Sequence, residues 1–119
     1  MKKILIIEDE PSISEMVKMM LERSGFEAVI CDNGREALDV VKRENPNLII
    51  LDVMLPGMDG IEIAKALNNS SDTANIPIIV ASALEESKHL FEGISQVKGF
   101  AAKPFTIQQL LENVNKYIA

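Results

Sequence analysis

Five short apolar, β-branched runs, at residues 3–7, 26–31, 48–51, 76–81 and 98–101, alternate with longer stretches whose apolar residues recur at helical spacing. Alternation at about 20–25 residues per unit specifies βα repeats with right-handed crossovers, and so a parallel sheet. Strands this uniformly apolar are covered on both faces. The 119 residues suffice for one α/β domain with a sizeable core, and no linker or low-complexity stretch divides them. The expected domain spans residues 1–119.

Five helices fill the intervals. In the first, Pro11 suits the opening turn, where its missing N–H has no intrahelical partner. Ile13, Met16, Val17, Met20 and Leu21 form its stripe, and Ser24-Gly25 ends it, since glycine accepts the left-handed conformation. The second is expected from Asn33-Gly34, with Asn33 as cap and Ala37, Leu38 and Val41 inward, ending at Asn45-Pro46. The third covers residues 60–68 with Ile61, Ala64 and Leu67 inward, and a polar loop follows to Asn75. The fourth spans residues 85–95. In the fifth, Thr106 and Gln109 form a capping box before the stripe Ile107, Leu110, Leu111, Val114 and Ile118.

Polar chemistry collects where the strands stop. Glu8 and Asp9 follow the first run, Asp52 the third, Ser82 the fourth and Lys103 the fifth; Asp32, after the second, reads as a turn residue. The carboxyl ends of parallel strands share one crevice, where ligands bind. Three carboxylates there repel one another unless a divalent cation bridges them, which points to Mg²⁺. Asp9 and Asp52 can supply carboxylates to the ion, the Met54 backbone carbonyl a third oxygen, and Glu8 a contact through water. A carboxylate is also a competent nucleophile toward phosphorus. Asp52 can accept a phosphoryl group while Mg²⁺, the Lys103 ammonium and the Ser82 hydroxyl neutralise its oxygens. Taken singly, each residue has a plainer reading: helix N-terminal charges, a loop carboxylate, a cap, a surface lysine. Arrival at four strand ends of one sheet favours the joint reading.

Bulk properties narrow the field. The net charge of −6 argues against nucleic-acid binding by this chain, because phosphate contacts need clustered Lys and Arg. The single cysteine, Cys31, excludes an internal disulfide and reads as a buried, inert thiol. No apolar run is long enough to span a bilayer, and Met1-Lys-Lys leads straight into the first strand without a cleavable leader, so a cytoplasmic protein is expected. The one histidine, His89, reads as a surface residue.

The segments Ile7-Glu-Asp-Glu-Pro11, Leu51-Asp-Val-Met-Leu-Pro-Gly-Met-Asp-Gly60, Ser82-Ala83 and Lys103-Pro-Phe105 resemble those of response-regulator receiver domains of two-component signalling, over the whole chain. The resemblance implies a flavodoxin-like, doubly wound (βα)₅ fold with strand order 2-1-3-4-5. It implies that Asp52 accepts a phosphoryl group from a histidine kinase or phosphotransfer protein. Mg²⁺ would be held by Asp9, Asp52 and the Met54 carbonyl, with Glu8 assisting. Ser82 and Lys103 would sense and hold the phosphoryl group, and Phe100 would be the aromatic switch that reshapes the face of the fourth helix, fifth strand and fifth helix. A plain core aromatic is the simpler reading of Phe100. The Lys103–Pro104 bond is expected to be cis. Such a domain is a regulator that assists its own phosphorylation and slow dephosphorylation, not an enzyme of turnover.

Four departures stand out. Position 8 is Glu where many relatives carry Asp, Ser82 replaces the commoner Thr, and Met54 and Leu84 are apolar where hydrolysis is tuned. Residues 93–98 lack the expected small-residue turn. Met19, beside the first helix stripe, marks a candidate docking surface for the phosphodonor; an incidental exposed Met is the alternative. Competing functions fit less well. A phosphohydrolase forming an aspartyl-phosphate needs an acid where Met54 stands. A dinucleotide site needs glycine amides where Glu8-Asp9-Glu10 stand. A receiver-fold scaffold working without phosphorylation stays open. No effector domain follows the fifth helix, so a stand-alone regulator and a receiver cut from a longer chain are both open. The pathway, output partner and oligomeric state are not readable.

Overall fold

A computed structural model describes residues 1–53, 59–82, 90–102 and 105–118, with only the backbone at Ser82 and Ala102. In chain order its elements are β1 (Lys3–Ile7), α1 (Pro11–Arg23), β2 (Glu27–Cys31), α2 (Ala37–Glu44), β3 (Leu48–Asp52), α3 (Gly60–Asn68), β4 (Ile78–Ser82), β5 (Val97–Ala102) and α4 (Ile107–Tyr117). The five strands form one parallel sheet in the order β2-β1-β3-β4-β5, the order the resemblance implied.

The two-residue period of a strand divides the core. Leu5, Ile7, Ile49, Leu51, Ile78 and Val80 face α2 and α3, meeting Ala37, Val41, Ile63, Ala64 and Leu67. Ile4, Ile6, Leu48, Ile50 and Ile79 point the other way, toward Val17 and Leu21 of α1 and Leu110 and Val114 of α4. Every residue of β3 is buried. Between β4 and β5 the register slips by one residue after Ile78, so that Ile79 faces Gly99 and Val80 faces Phe100.

Helix ends follow local chemistry. Pro11 is the first residue of α1, and Gly25, at φ 94°, turns the chain out of it. The Asp59 carboxylate caps α3 by accepting from the Glu62 N–H at 3.0 Å. Thr106 and Gln109 close the expected capping box at 3.1 and 2.9 Å.

Several boundaries differ from the sequence reading. α2 starts at Ala37, not at Asn33. The Asn33 side chain instead accepts from the Arg35 N–H at 2.7 Å, a local turn that competes with helix. Asn45, expected to stop α2, does so in the left-handed conformation at φ 46°. Met16 is 42% exposed while Ser14 is buried in its stead. In α3, Ile63 is the fully buried residue and Ile61 only partly so. β4 starts at Ile78 rather than residue 76, because Pro77 has no N–H for a ladder. Residues 85–89 of the expected fourth helix lie outside the described residues, and residues 91–96 fold as successive tight turns rather than as helix, the Ile94 N–H reaching Phe91 O and the Val97 N–H reaching Ile94 O.

The amino edge of the sheet is fastened by polar groups. The Lys3 ammonium lies 3.0 Å from Glu44 and 3.8 Å from Glu27. The hydrogen bond to Lys3 pulls the Glu44 carboxyl below its usual range, and the same bond pushes the Lys3 ammonium above its own. Deeper, the buried Gln96 carboxamide donates to the Thr73 carbonyl at 2.7 Å and to the Ile76 carbonyl at 2.8 Å. Thr73, also buried, donates its hydroxyl to Leu67 O at the end of α3.

Gln96→Ala removes the donor to the Ile76 carbonyl, at a cost of roughly 1–3 kcal/mol, and leaves the Thr73 carbonyl with the Ile76 N–H at 3.1 Å. A denaturant melt is expected to show a loss near the upper half of that range. Gln96→Leu, which refills the volume but donates nothing, is expected not to restore it.

Candidate functional site: an acidic cluster at the carboxyl edge

The parallel register brings the site together. Ile7 of β1 stands opposite Leu51 of β3, so the next residues, Glu8 and Asp52, leave the sheet at one level. The Glu8 N–H donates to Cys31 O at 3.0 Å, which extends the β1–β2 ladder by one step and fixes the root of the acidic loop. The Glu8 carboxylate turns back on that loop, accepting from the Asp9 N–H at 3.1 Å and the Glu10 N–H at 3.4 Å. Glu8 and Asp52 are buried, at 4% and 8% exposure, whereas Asp9 is exposed. One carboxylate oxygen from each of Glu8, Asp9 and Asp52 lies within 4.8 Å of the others.

Three like charges this close are unfavourable, more so where two are buried. The donors are all hard anionic oxygens, which suit a hard divalent cation. An octahedral Mg²⁺ with bonds near 2.0–2.1 Å spaces its ligands about 3–4 Å apart. Modest side-chain rotation takes the cluster from its observed span to that spacing, so the residues fit such an ion.

The other expected site residues divide. Ser82 ends β4, one position beyond Ala81, which faces Asp52 across the β3–β4 ladder. Its backbone is therefore at the carboxyl edge, while its side chain lies outside the described residues. Met54, Leu84, Lys103 and the Lys103–Pro104 bond also lie outside them. Phe100 is half-buried on β5 and packs against the cluster beneath α2 and α3. Asp32 is an exposed loop residue, as expected. Cys31 is buried, donates its Sγ–H to Asn33 O at 3.2 Å, and has its thiol pushed up by burial, in keeping with an inert thiol.

Sequence reasoning passed over Gly60. Its N–H donates to Val53 O at 2.7 Å, tying the first residue of α3 to the residue after Asp52. The available signal was its place: glycine is enriched just past a helix end, not as the first helical residue.

With the fold and cluster in hand, comparison with known proteins is direct. The response-regulator receiver domain family matches residues 4–115. The chain belongs to that family. Receivers are the regulatory phosphoacceptor domains of two-component signalling. This receiver is 38% identical over 111 residues to the phosphate regulon transcriptional regulatory protein PhoB of Pseudomonas aeruginosa, covering 92% of this chain and 48% of that protein. It thus spans about half the length of that relative. It is 36% identical over 123 residues to sporulation initiation phosphotransferase F of Bacillus subtilis, covering 98% of this chain and 94% of that protein. Among solved structures, the response regulator TrrA of Thermotoga maritima, determined in complex with Mg²⁺-BeF, matches with a TM-score of 0.89 and 31% identity. That match covers 99% of this receiver and all (100%) of TrrA. Among the described residues no helix is long and apolar enough to cross a membrane.

Removing one charge from the cluster relieves repulsion in the absence of metal. Asp9→Asn, the exposed member, is expected to stabilise the receiver in chelator by about 1 kcal/mol, allowing for solvent screening. Titrating Mg²⁺ is expected to erase and then reverse the difference in Tm from the parent.

Proposed function

We propose that residues 1–119 form a single receiver that takes a phosphoryl group on Asp52 from a histidine kinase or a histidine phosphotransfer protein, with Mg²⁺. The observation that carries this reading is the convergence of Glu8, Asp9 and Asp52 oxygens within 4.8 Å at the carboxyl edge of the sheet. Asp9, Asp52 and the Met54 carbonyl would ligate the ion, and Glu8, whose carboxylate is held back by two loop amides, would reach it through water. When bound, Mg²⁺ supplies positive charge to the phosphoryl oxygens and orients them for in-line transfer.

An Asp52 carboxylate oxygen attacks phosphorus. The bond from phosphorus to the donor imidazole nitrogen breaks, and that nitrogen keeps the electron pair and takes a proton from solvent. Burial of Asp52 limits competing water and strengthens its interaction with the countercharges. Lys103 and the Ser82 hydroxyl would hold the remaining phosphoryl oxygens. The new group adds about −1.5 to −2 charge. Ser82 would follow it, and Phe100, already half-buried, would turn further inward. The face of the fourth-helix region, β5 and α4 would change shape as a shift between two packings.

Met16 and Met19, 42% and 52% exposed on α1, supply an apolar surface near the acidic loop on which the phosphodonor would dock. The output partner or effector domain is left open by this reading, which places the protein in the cytoplasm as a regulator that does not itself bind nucleic acid. The second reading, a receiver-fold scaffold used without phosphorylation, gives an acidic cluster no task.

Incubation with Mg²⁺ and a small phosphodonor is expected to add one phosphoryl group to the intact mass of the wild type and none to Asp52→Ala. Equal gain in both would move the acceptor elsewhere, and no gain in either would favour the scaffold. Met54 and Leu84 offer no polar atom to orient an attacking water, so the phosphorylated species is expected to decay slowly once donor is removed. Intact-mass decay complete within seconds would contradict this.

A further inference from the structure

We propose that Met16 and Met19 make the donor-docking face of α1 sensitive to oxidation: conversion of their thioethers to sulfoxides slows phosphoryl transfer from a protein donor. This inference rests on the reading of Asp52 as phosphoacceptor and of α1 as a face the donor covers. Ser12, Glu15, Met16, Met19, Glu22 and Arg23, spaced three and four apart, form the solvent face of α1. Met16 and Met19, 42% and 52% exposed, stand at its centre with polar residues around them. An apolar centre in a polar rim is how protein interfaces are built, and methionine is enriched in such centres. Among the described residues, no other helix exposes two large apolar side chains. α1 begins two residues after Asp9. At 1.5 Å per residue, Met16 lies about 8 Å and Met19 about 12 Å along the axis from Pro11. A partner that brings a phosphohistidine to Asp52 buries roughly 800 Å² of this receiver, a disc about 16 Å in radius. A footprint of that size around the acidic cluster takes in Met16 and reaches Met19.

A thioether reacts with a peroxide without a neighbouring base. With hydrogen peroxide as the oxidant, the sulfur lone pair attacks one oxygen and the O–O bond breaks. Hydroxide leaves, and the proton of the sulfur-bound hydroxyl passes to it as water. Sulfur loses two electrons and the peroxide gains them. The sulfoxide is polar where the thioether was apolar, and methionine sulfoxide reductases reverse it. Under a docked partner its oxygen gives up water without gaining a donor, which opposes docking. Access decides which sulfurs react. Met20, the next residue after Met19, is buried at 8% exposure, so α1 carries an exposed pair and a shielded control. Met1 is exposed as well, but it precedes β1 at the amino edge, across the sheet from the acidic cluster.

The test treats wild type and Met16→Leu/Met19→Leu with hydrogen peroxide. Leucine keeps the apolar volume and the helix propensity but has no sulfur. The other four methionines stay in both proteins. Peptide masses locate the added oxygen atoms, and a thermal melt reads folding. Phosphoryl uptake is timed by intact mass from a small phosphodonor and from a panel of histidine phosphotransfer proteins phosphorylated beforehand. Each protein is compared with itself before treatment, so differences in starting rate cancel. Met16 and Met19 are expected to gain oxygen before Met20. Transfer from the protein donor is expected to fall on the order of 10-fold in wild type and far less in the variant. Uptake from the small phosphodonor is expected to change by the same factor in both. A methionine sulfoxide reductase is expected to restore the wild-type rate. Equal loss of protein-donor transfer in both proteins overturns the proposal, as does no loss in wild type oxidised at Met16 and Met19. Oxidation of Met20 alongside them, or a lost cooperative melt, also overturns it, since the effect would then be one of unfolding. Absence of uptake from the small phosphodonor in untreated wild type sinks the acceptor reading, and this inference with it; uptake from that donor but from no phosphotransfer protein sinks this inference alone.

Discussion

Mutual repulsion of three carboxylates is the constraint around which this domain is organised. Glu8 and Asp52 are buried beside each other, and Asp9 stands over them. Left alone, such a cluster opposes folding; its neighbours must hold it in place. They do so with the apolar strands beneath: β1 is buried from Ile4 to Ile7 and β3 throughout. Register keeps the backbones of Glu8 and Asp52 close, because β1 and β3 are hydrogen-bonded neighbours ending at the same level. The cluster is therefore a stored electrostatic demand for positive charge. A divalent cation would meet it.

The same sheet explains why polar chemistry gathers at one edge. Strands covered on both faces have no solvent-facing side on which to carry polar groups. Side chains of alternating residues are committed to the α2–α3 layer or to the α1–α4 layer. Functional residues are left with the strand ends and the loops beyond. At the opposite edge the polar groups are occupied with fastening: Lys3 with Glu44, Asn47 with the Lys3 backbone, and Gln96 with the loop after α3.

What could be read from the chain follows from how local each signal is. Strands 1 and 3 were legible because continuous Ile/Leu runs end abruptly at acids, and α3 came out with its observed limits. α4 was legible because Thr106 and Gln109 fix its start within four residues. Failures came where tertiary packing or a competing turn decided. Asn33 looked like a cap but spends its side chain on Arg35 N–H. Ser14 and Met16 exchanged places because the face of α1 that meets the sheet is set by the crossing of helix and strands, not by hydropathy. Gln96 gave no sign in sequence of being buried, since its partners Thr73 and Ile76 are distant and offer only backbone carbonyls. At the site, the convergence of Glu8, Asp9 and Asp52 was legible from strand order and register. The close approach of α3 to β3 was not, because it depends on the absence of an atom.

The two edges of the sheet carry different polar chemistry. At the amino edge, the Gln96 amide and the buried Thr73 hydroxyl hold the ends of α3, β4 and β5 through bonds that fit one arrangement. At the carboxyl edge, the Gly60 N–H donates to Val53 O at 2.7 Å, beside the cluster of Glu8, Asp9 and Asp52. A phosphoryl group on Asp52, as proposed above, would add its charge at the edge where the carboxylates gather. The proposed rearrangement would then have to reach the stretch of β5 that carries Phe100. A domain with a single packing could hold a cation and a phosphoryl group but would have no second state to shift to. An event at one carboxylate would be read elsewhere on the surface only through such a shift between two packings.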